Sequence, residues 1–259
     1  MTIRWEVRDL VGVAVIDRPE RRNALDAQMC RQLHGYLDTN PGLRAIVIGG
    51  AGDKAFCAGA DLGRRAADTA GGLEHGGGDT FRPAFEGLLD TIVAYPAPVI
   101  AAVNGAALGA GMQLAVACDV RVVSPNASFG IPAARLGVLL SPKNIARLAL
   151  LVGQATARDV LLTARTLDID EAERVGLVQR RADDAYAAAC ILANEIAELA
   201  PLSASGHKRA LNLLAERVML TAEQTAEIAR LEEAAFASHD LQEGIGAFGE
   251  KRVPRFEGR

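Results

Sequence analysis

The chain has 259 residues and half of them are apolar, which is enough to bury a hydrophobic core in one or two units. Its formal net charge of -4 gives no general attraction to polyanions, so the composition does not favour a nucleic-acid-binding protein. No apolar run reaches the roughly 18 residues of a membrane span, and charged residues interrupt the start of the chain, so neither a membrane span nor a signal peptide is predicted.

The first part of the chain alternates predicted strands with predicted helices. Short apolar runs bounded by turn residues predict strands at residues 3–7, 11–16, 44–49 and 98–103. Apolar residues at helical spacing predict helices at residues 25–37, 85–93 and 109–117. Strands that alternate with helices indicate an α/β fold.

The last part of the chain carries a helical pattern only. From about residue 142 the strand signal stops, and apolar residues recur at helical spacing over 145–152, 185–199 and 222–236. Residues 63–80 are rich in glycine and mixed charge, which predicts a loop. We therefore expect an α/β region followed by a helical C-terminal region.

The four cysteines carry no metal or disulfide pattern. Cys30, Cys57, Cys118 and Cys190 lie far apart without a CxxC pair, which argues against both a zinc site and a disulfide framework. We expect a reducing, cytoplasmic setting and no metal.

Two glycine-rich loops follow predicted strands. Residues 56–62 (FCAGADL) follow the strand that ends near residue 50, and residues 104–111 (NGAALGAG) follow the strand that ends near residue 103. Glycine allows close approach of the backbone, and the second loop opens a helix whose first N–H groups lack intrahelical partners. One N–H from each loop could form an oxyanion hole for a thioester carbonyl. The alternative is that each is only a tight turn, and neither loop matches a nucleotide-binding pattern.

Six segments make the chain similar to the enoyl-CoA hydratase/isomerase family, also called the crotonase superfamily, over nearly its whole length. They are residues 17–25 (DRPERRNAL), 55–62 (AFCAGADL), 98–105 (PVIAAVNG), 114–119 (LAVACD), 129–132 (FGIP) and 243–252 (EGIGAFGEKR). The resemblance implies a spiral core of repeated ββα units over residues 1–200 and a helical trimerisation region over residues 201–259. It also implies a homotrimer or hexamer that binds acyl-CoA thioesters, with coenzyme A as part of the ligand and no separate cofactor.

The resemblance further implies roles for single residues. The oxyanion-hole donors correspond to the backbone N–H groups of Ala58 and Ala110, and the two catalytic glutamates of the family's hydratases correspond to Gln113 and Ala133. The residues expected to contact coenzyme A are Arg21, Arg22, Ala24, Leu25, Asp61, Leu62, Phe248 and Lys251, the last two from the C-terminal helix of a neighbouring subunit. Asp61 is also expected to cap the helix that follows it.

The expected acids are therefore missing from this sequence. A glutamine can orient water but cannot exchange a proton near neutral pH, and an alanine can do neither. Ser141 occupies a third position at which some relatives carry a carboxylate. Glu86 and Asp90 lie on a predicted helix, where a solvated face is the simpler interpretation although one of them could project inwards.

Three functions fit these residues. The main hypothesis is a protein that binds acyl-CoA thioesters and has weak or no hydratase activity. A second is an isomerase or decarboxylase of fatty-acid or related acyl-CoA metabolism that relies on the oxyanion hole. A third is a slow hydratase that uses water held by Gln113.

Overall fold

The computed structural model describes residues 3–62, 80–216 and 221–257, and its strands form two sheets. Apart from Thr80, the loop predicted at 63–80 lies outside the described residues. The strands are β1 (Ile3–Arg8), β2 (Val11–Ile16), β3 (Ala45–Gly50), β4 (Ala55–Cys57), β5 (Val99–Val103), β6 (Ala106–Leu108), β7 (Val120–Val123), β8 (Ser128–Gly130), β9 (Thr166–Leu167) and β10 (Arg180–Arg181).

Consecutive strands are shared between the two sheets. The larger sheet has the order β1-β2-β3-β5-β7-β10, in which only β1 pairs antiparallel with its neighbour. The smaller sheet has the order β4-β6-β8-β9. In the pairs β3/β4, β5/β6 and β7/β8, the first strand joins the larger sheet and the second joins the smaller one. This arrangement confirms the predicted α/β fold, although the short strands β9 and β10 show that strands do not stop at residue 142.

Nine helices and two 3-10 helices complete the described parts of the chain. The helices are α1 (Ala27–Asp38), α2 (Phe81–Ala94), α3 (Ala110–Ala117), α4 (Pro142–Thr163), α5 (Ile169–Arg174), α6 (Ala185–Ala197), α7 (Pro201–Glu216), α8 (Ala222–Ala237) and α9 (His239–Glu250), and the 3-10 helices are Pro19–Arg21 and Pro132–Leu136. Helix α1 begins two residues later than predicted because the carboxylate of Asp26 accepts a hydrogen bond from the N–H of Met29 at 2.9 Å and so caps the helix there.

The core lies on both faces of the larger sheet. Because side chains alternate along a strand, Ile46 and Ile48 of β3 point to one face and Val47 points to the other. The first face belongs to the large apolar cluster that includes α1 and α2, and the second packs against small residues of α6 such as Ala189. A strand buried on both faces explains why its sequence reads as a continuous apolar run.

The C-terminal helices α7 to α9 confirm the predicted helical region. Helix α9 packs on the 3-10 helix Pro132–Leu136, and a β-carbon at Gly244 would lie 2.7 Å from the carbonyl oxygen of Leu136, so only glycine permits this approach. Within the described ranges, no single helix is long and apolar enough to cross a membrane. The bent pair Ala185–Ala197 and Pro201–Ala215 meets the length and composition criteria together, with an angle of 110° between its helices.

Candidate functional site

A cavity of about 650 Å³ lies where the two glycine-rich loops face the C-terminal helices. We call residues 58–62 and 108–110 the loop wall, and we call the cavity-facing parts of α2, residues 131–141, α8 and α9 the helical wall. The predicted site residues that line the cavity are Ala58, Ala110, Gln113, Ala133, Arg21, Arg22, Ala24, Asp61, Leu62 and Phe248. Leu25 and Lys251 do not line it. Most of the residues predicted from the sequence therefore lie around one cavity.

Buried polar groups attach the segment 17–25 to the first loop. Arg18 donates to the carboxylate of Asp61 at 2.9 Å and to the carbonyl oxygen of Ala24 at 3.1 Å. Asn23 is 1% exposed, and its amide accepts from the N–H of Arg18 and donates to the carbonyl oxygens of Ala51 and Ala55. Asp61 also accepts from Arg21 at 3.4 Å. Asp61 thus has a structural role, and Arg18 and Asn23 are the supporting residues that sequence reasoning missed.

Among the described groups, the N–H of Ala60 in the first loop is a free backbone donor, whereas the N–H of Ala58 is not. The N–H of Ala58 donates to the carbonyl oxygen of Arg22 at 3.0 Å, so the prediction for Ala58 does not fit this geometry. The carbonyl oxygen of Gly59 accepts from the N–H of Leu25 at 2.8 Å. Because C=O and N–H point in opposite directions across one trans peptide, the N–H of Ala60 points away from Leu25. It has no acceptor in the parts of the chain that the structure describes.

The second loop presents the N–H of Ala110 in the same way. The carbonyl oxygen of Gly109 accepts from the N–H of Gln113 at 3.2 Å, so the N–H of Ala110 in the same peptide points away from helix α3. Ala110 is the first residue of that helix, where an N–H has no intrahelical partner. Among the described groups this N–H has no acceptor either. Both loops therefore direct one unused amide away from their own backbone.

Close packing holds the two loops together. A β-carbon at Gly111 would collide with the carbonyl oxygen of Cys57, so the first turn of α3 rests directly on strand β4. A β-carbon at Gly59 would lie 3.2 Å from the carbonyl oxygen of Leu108 and 3.8 Å from the amide nitrogen of Ala110. These distances put the amides of the two loops on the same side of the cavity.

Comparison with known proteins identifies the family. A model of the family described as "Enoyl-CoA hydratase/isomerase" matches residues 7–259. The chain is 38% identical over 263 residues to "Probable enoyl-CoA hydratase echA8" from Mycobacterium bovis, and the match covers 100% of this chain and 98% of that protein. The chain belongs to the enoyl-CoA hydratase/isomerase family.

Solved structures share the fold of this family member. Carnitinyl-CoA hydratase from Mycobacterium avium is 32% identical, with a TM-score of 0.83 over 100% of this chain and 99% of that chain. Methylmalonyl-CoA decarboxylase in complex with 2-nitronate-propionyl-CoA has a TM-score of 0.88 over 100% of this chain and 99% of that chain. Since its sequence identity is 23%, that second likeness concerns the fold alone.

Three residues predicted to contact coenzyme A occupy different surroundings in the single chain. The side chain of Leu25 is fully buried in the core, so only its backbone supports the site, through the hydrogen bond to Gly59. Lys251 is exposed beyond the end of α9 and off the cavity wall. Phe248 lines the cavity of its own chain, because α9 packs on the 3-10 helix of the same chain. The expectation that Phe248 reaches the site of a neighbouring subunit stays a prediction.

The positions assigned to the family's glutamates lie on the cavity wall without a carboxylate. The side-chain amide of Gln113 donates back to the carbonyl oxygen of Gly109 at 3.3 Å, within its own helix. Ala133 lies in the 3-10 helix, and Ser141 precedes α4. The hydroxyl oxygen of Ser141 is buried and has no hydrogen-bond partner among the described residues. Neither Gln113 nor Ala133 can supply acid–base chemistry.

Three carboxylates line the cavity among its described residues, and they have different surroundings. Glu20 is exposed at the entrance, Asp61 is paired with two arginines, and Glu86 projects from α2 with Oε1 accepting from Asn144 at 2.8 Å. Asp90, the other acid considered on this helix, is not on the wall. Partial burial opposes its ionisation, but hydrogen bonds from Lys143 and Arg147 outweigh burial and lower the pKa of Asp90.

No described group in the site points to a metal or a cysteine nucleophile. The described residues contain no cluster of three or more potential metal-ligand side chains. Cys57 lies behind the loop wall, and its complete burial raises the pKa of its thiol to about 12. A thiol with that pKa stays protonated near neutral pH, and the thiolate is the reactive form. The polar groups that the described part of the cavity wall offers are backbone amides and a few polar side chains.

Proposed function

We propose that this protein binds acyl-CoA thioesters in the cavity, with the thioester carbonyl oxygen accepting hydrogen bonds from the N–H groups of Ala60 and Ala110. The observation that carries the proposal is the pair of unused amides on two facing loops. Such donors stabilise negative charge on a carbonyl oxygen, and they need no side chain to do so. The proposed site can therefore bind the carbonyl group although Gln113 and Ala133 replace the family's two glutamates.

The entrance supports binding of the coenzyme A portion. Arg21 and Arg22 are exposed there, and the side chain of Arg21 is 57% exposed although one of its nitrogens touches Asp61. Guanidinium groups are well suited to phosphate oxygens, and the aromatic ring of Phe248 offers a surface for an adenine base. The name of carnitinyl-CoA hydratase, which is 32% identical to this chain, also refers to a CoA thioester.

Hydration is expected to be weak or absent. A hydratase must activate water and deliver a proton, and each acid–base group contributes typically ~10²–10⁴-fold. With Gln113 and Ala133 at the two positions that the family resemblance assigns to glutamates, both contributions are lost. We expect the variant Gln113→Glu plus Ala133→Glu to hydrate crotonyl-CoA faster than the parent protein, and parent activity near that of ordinary hydratases would contradict the proposal.

The substitution Ala110→Pro tests the carbonyl site directly. Proline is tolerated at the first position of a helix, so this change removes the N–H of Ala110 without breaking a hydrogen bond between described residues. We expect affinity for butyryl-CoA, measured by calorimetry, to fall about tenfold because one hydrogen bond is lost. Affinity for free coenzyme A, which has no thioester carbonyl, should be unchanged.

A matched control is His239→Pro, at the exposed first position of α9. It should leave the affinities for butyryl-CoA and coenzyme A unchanged. If Ala110→Pro weakened both ligands equally, or weakened neither, the role of the Ala110 amide would be refuted.

We infer that the C-terminal helical region also joins subunits. Leu202, Leu211 and Leu214 on α7 are 87%, 66% and 58% exposed in the single chain, and large exposed apolar side chains grouped on one element are typical of association surfaces. This supports the homotrimer or hexamer that the family resemblance implies. Sedimentation velocity tests it, and a monomer at micromolar concentration would contradict it.

A further inference from the structure

Strand β1 forms the longest open sheet edge in the described parts of the chain. It stands first in the order of the larger sheet and pairs only with β2 among the described strands. β1 has six residues, whereas β10 at the opposite edge has two, and the edge strands β4 and β9 of the smaller sheet have three and two. Because short edge strands limit pairing with other chains, β1 is the edge that offers the most backbone to a partner.

The backbone groups of β1 point alternately towards β2 and away from it. Arg8 and Val11 face each other across the two-residue turn at 9–10, and only a hydrogen-bonded pair can close such a turn. Hydrogen-bonded and non-hydrogen-bonded pairs alternate along an antiparallel ladder, so the N–H and C=O groups of Ile3, Trp5 and Val7 point away from β2. These outer groups have no hydrogen-bond partner in the described ranges.

The charges on β1 alternate in sign along one face. Arg4, Glu6 and Arg8 lie two residues apart, so their side chains share a face of the sheet. Arg4 contacts Asp17 and Arg8 contacts Glu6, both at 2.8 Å, but the side chains of Arg4, Glu6 and Arg8 remain 61%, 58% and 48% exposed. The strand contains no proline, and its pairing with β2 has no bulge, so two common devices that block an edge are absent.

We propose that β1 pairs with β1 of a second copy of this chain, antiparallel and centred on Trp5. The outer backbone groups of Ile3, Trp5 and Val7 then form the ladder, with Ile3 opposite the partner's Val7. On the charged face, Arg4 lies opposite the partner's Glu6, and Glu6 lies opposite the partner's Arg4. Opposite charges at facing positions stabilise a strand pair, and the two-fold symmetry makes each contact occur twice.

The charges favour this centre over its neighbours. A pair centred on Arg4 would place Arg4 opposite the partner's Arg4. A pair centred on Glu6 would place two glutamates opposite each other and Arg4 opposite the partner's Arg8. Like charges directly opposite each other destabilise a strand pair. A pair centred on Val7 would leave the first half of β1 outside the ladder, so the centre at Trp5 combines matched charges with the longest pairing.

This contact would continue the larger sheet from one copy into the next and would cover Val7, which is 45% exposed in the single chain. It uses a surface other than the C-terminal helices, so it joins copies independently of any association through α7. It also does not depend on thioester binding, because no residue of β1 lines the cavity.

Charge reversal tests the pairing. Arg4→Glu puts two acidic side chains opposite each other, and Glu6→Arg puts two basic ones opposite each other. Each change alters both symmetric contacts, so we expect the dissociation constant for this contact, measured by sedimentation velocity over a dilution series, to rise about tenfold or more. An equimolar mixture of the two variants should regain the association of the parent protein, because every acid again faces an arginine.

Two further variants separate the charges from the backbone. Arg8→Glu reverses a charge on the same face of the strand but outside the proposed pairs, and it should change the dissociation constant little. Val7→Pro keeps every charge and removes an outward N–H, a position where an edge strand tolerates proline, and it should weaken association. Far-UV circular dichroism checks the fold of each variant. Trp5 is the single tryptophan of the chain, so its fluorescence should change on dilution of the parent protein.

The outcomes are decisive for this contact. Equal association of the parent protein, Arg4→Glu, Glu6→Arg and Val7→Pro would refute pairing through β1. Weaker association of Arg8→Glu without weaker association of Arg4→Glu would refute the centre at Trp5, and a mixture that stayed dissociated would refute the Arg4–Glu6 contacts. Butyryl-CoA affinity should be the same in all these variants, so failure here would leave the proposed function intact.

Discussion

The loop wall and the helical wall of the cavity are held in different ways. In the loop wall, backbone hydrogen bonds and buried side chains such as Arg18 and Asp61 fix two amides whose function needs no particular side chain. In the helical wall, side chains such as those of Glu86 and Phe248 line the cavity. The comparison teaches that the proposed carbonyl recognition does not depend on the acid–base positions, because the two lie on different parts of the chain.

Removal of Arg18 should have the largest effect on the loop wall. Arg18→Ala removes the shorter of the two arginine contacts of the buried carboxylate of Asp61, and breaking a buried ion pair costs about 3–5 kcal/mol. Arg21→Ala removes an exposed partner of the same carboxylate and should cost less than about 1 kcal/mol. Urea denaturation of both variants measures the difference, and equal losses would show that Arg18 does not hold this wall.

An intermediate effect is expected where the two loops touch. Gly111→Ala places a methyl group against the carbonyl oxygen of Cys57, and overpacking of this kind costs about 1–3 kcal/mol. Gly35→Ala in α1 meets no neighbouring atom within 4 Å and should instead stabilise the protein by about 0.5–1 kcal/mol. Denaturation curves for the pair provide the check. A stable Gly111→Ala variant that binds butyryl-CoA normally would disprove the close packing.

The smallest effect is expected on helix α9, at a residue off the cavity wall, and it depends on pH. The carboxylate of Glu243 accepts two hydrogen bonds from Arg252 and one from the N–H of Arg255, which lowers its pKa from 4.5 to about 2. A carboxylate whose pKa is lower in the folded state stabilises the fold above its unfolded pKa, and this stabilisation disappears as the pH falls.

The parent protein should therefore exceed Glu243→Gln in free energy of unfolding at pH 6, and the difference should shrink between about pH 4.5 and pH 2. Chemical denaturation at several pH values in that window measures it. A difference for Glu243→Gln that stayed constant with pH would rule out the carboxylate as its source.

Features set by backbone patterning were predictable from the sequence. Continuous apolar runs identified β3 and β5, and glycine-rich loops after strands identified the loop wall, since glycine marks positions where backbone approaches backbone. The choice between Ala58 and Ala60 was not predictable in this way. It depends on which carbonyl bonds to the segment 17–25, a contact between residues far apart in the sequence.

The directions of the side chains on the helical wall could not be predicted from the sequence either. Glu86 and Asp90 are four residues apart on α2, so they share a face, and their surroundings are decided by Asn144 and Arg147 on a helix more than 50 residues away. Helix α9 packs on its own chain because Gly137 and Gly244 permit contact with it and with the 3-10 helix, a match that no local pattern reveals.

The alternation of consecutive strands between the two sheets has a consequence for folding. Because strands of the two sheets alternate along the chain, neither sheet can be completed before most strands of the other sheet have been formed. Topology therefore disfavours an early intermediate with one finished sheet. Some contacts fix the donor amides by joining residues far apart in the sequence, such as Leu25 with Gly59. These contacts form only when the chain between them closes into a loop. We therefore expect the proposed thioester site to form late in folding, together with these long-range contacts.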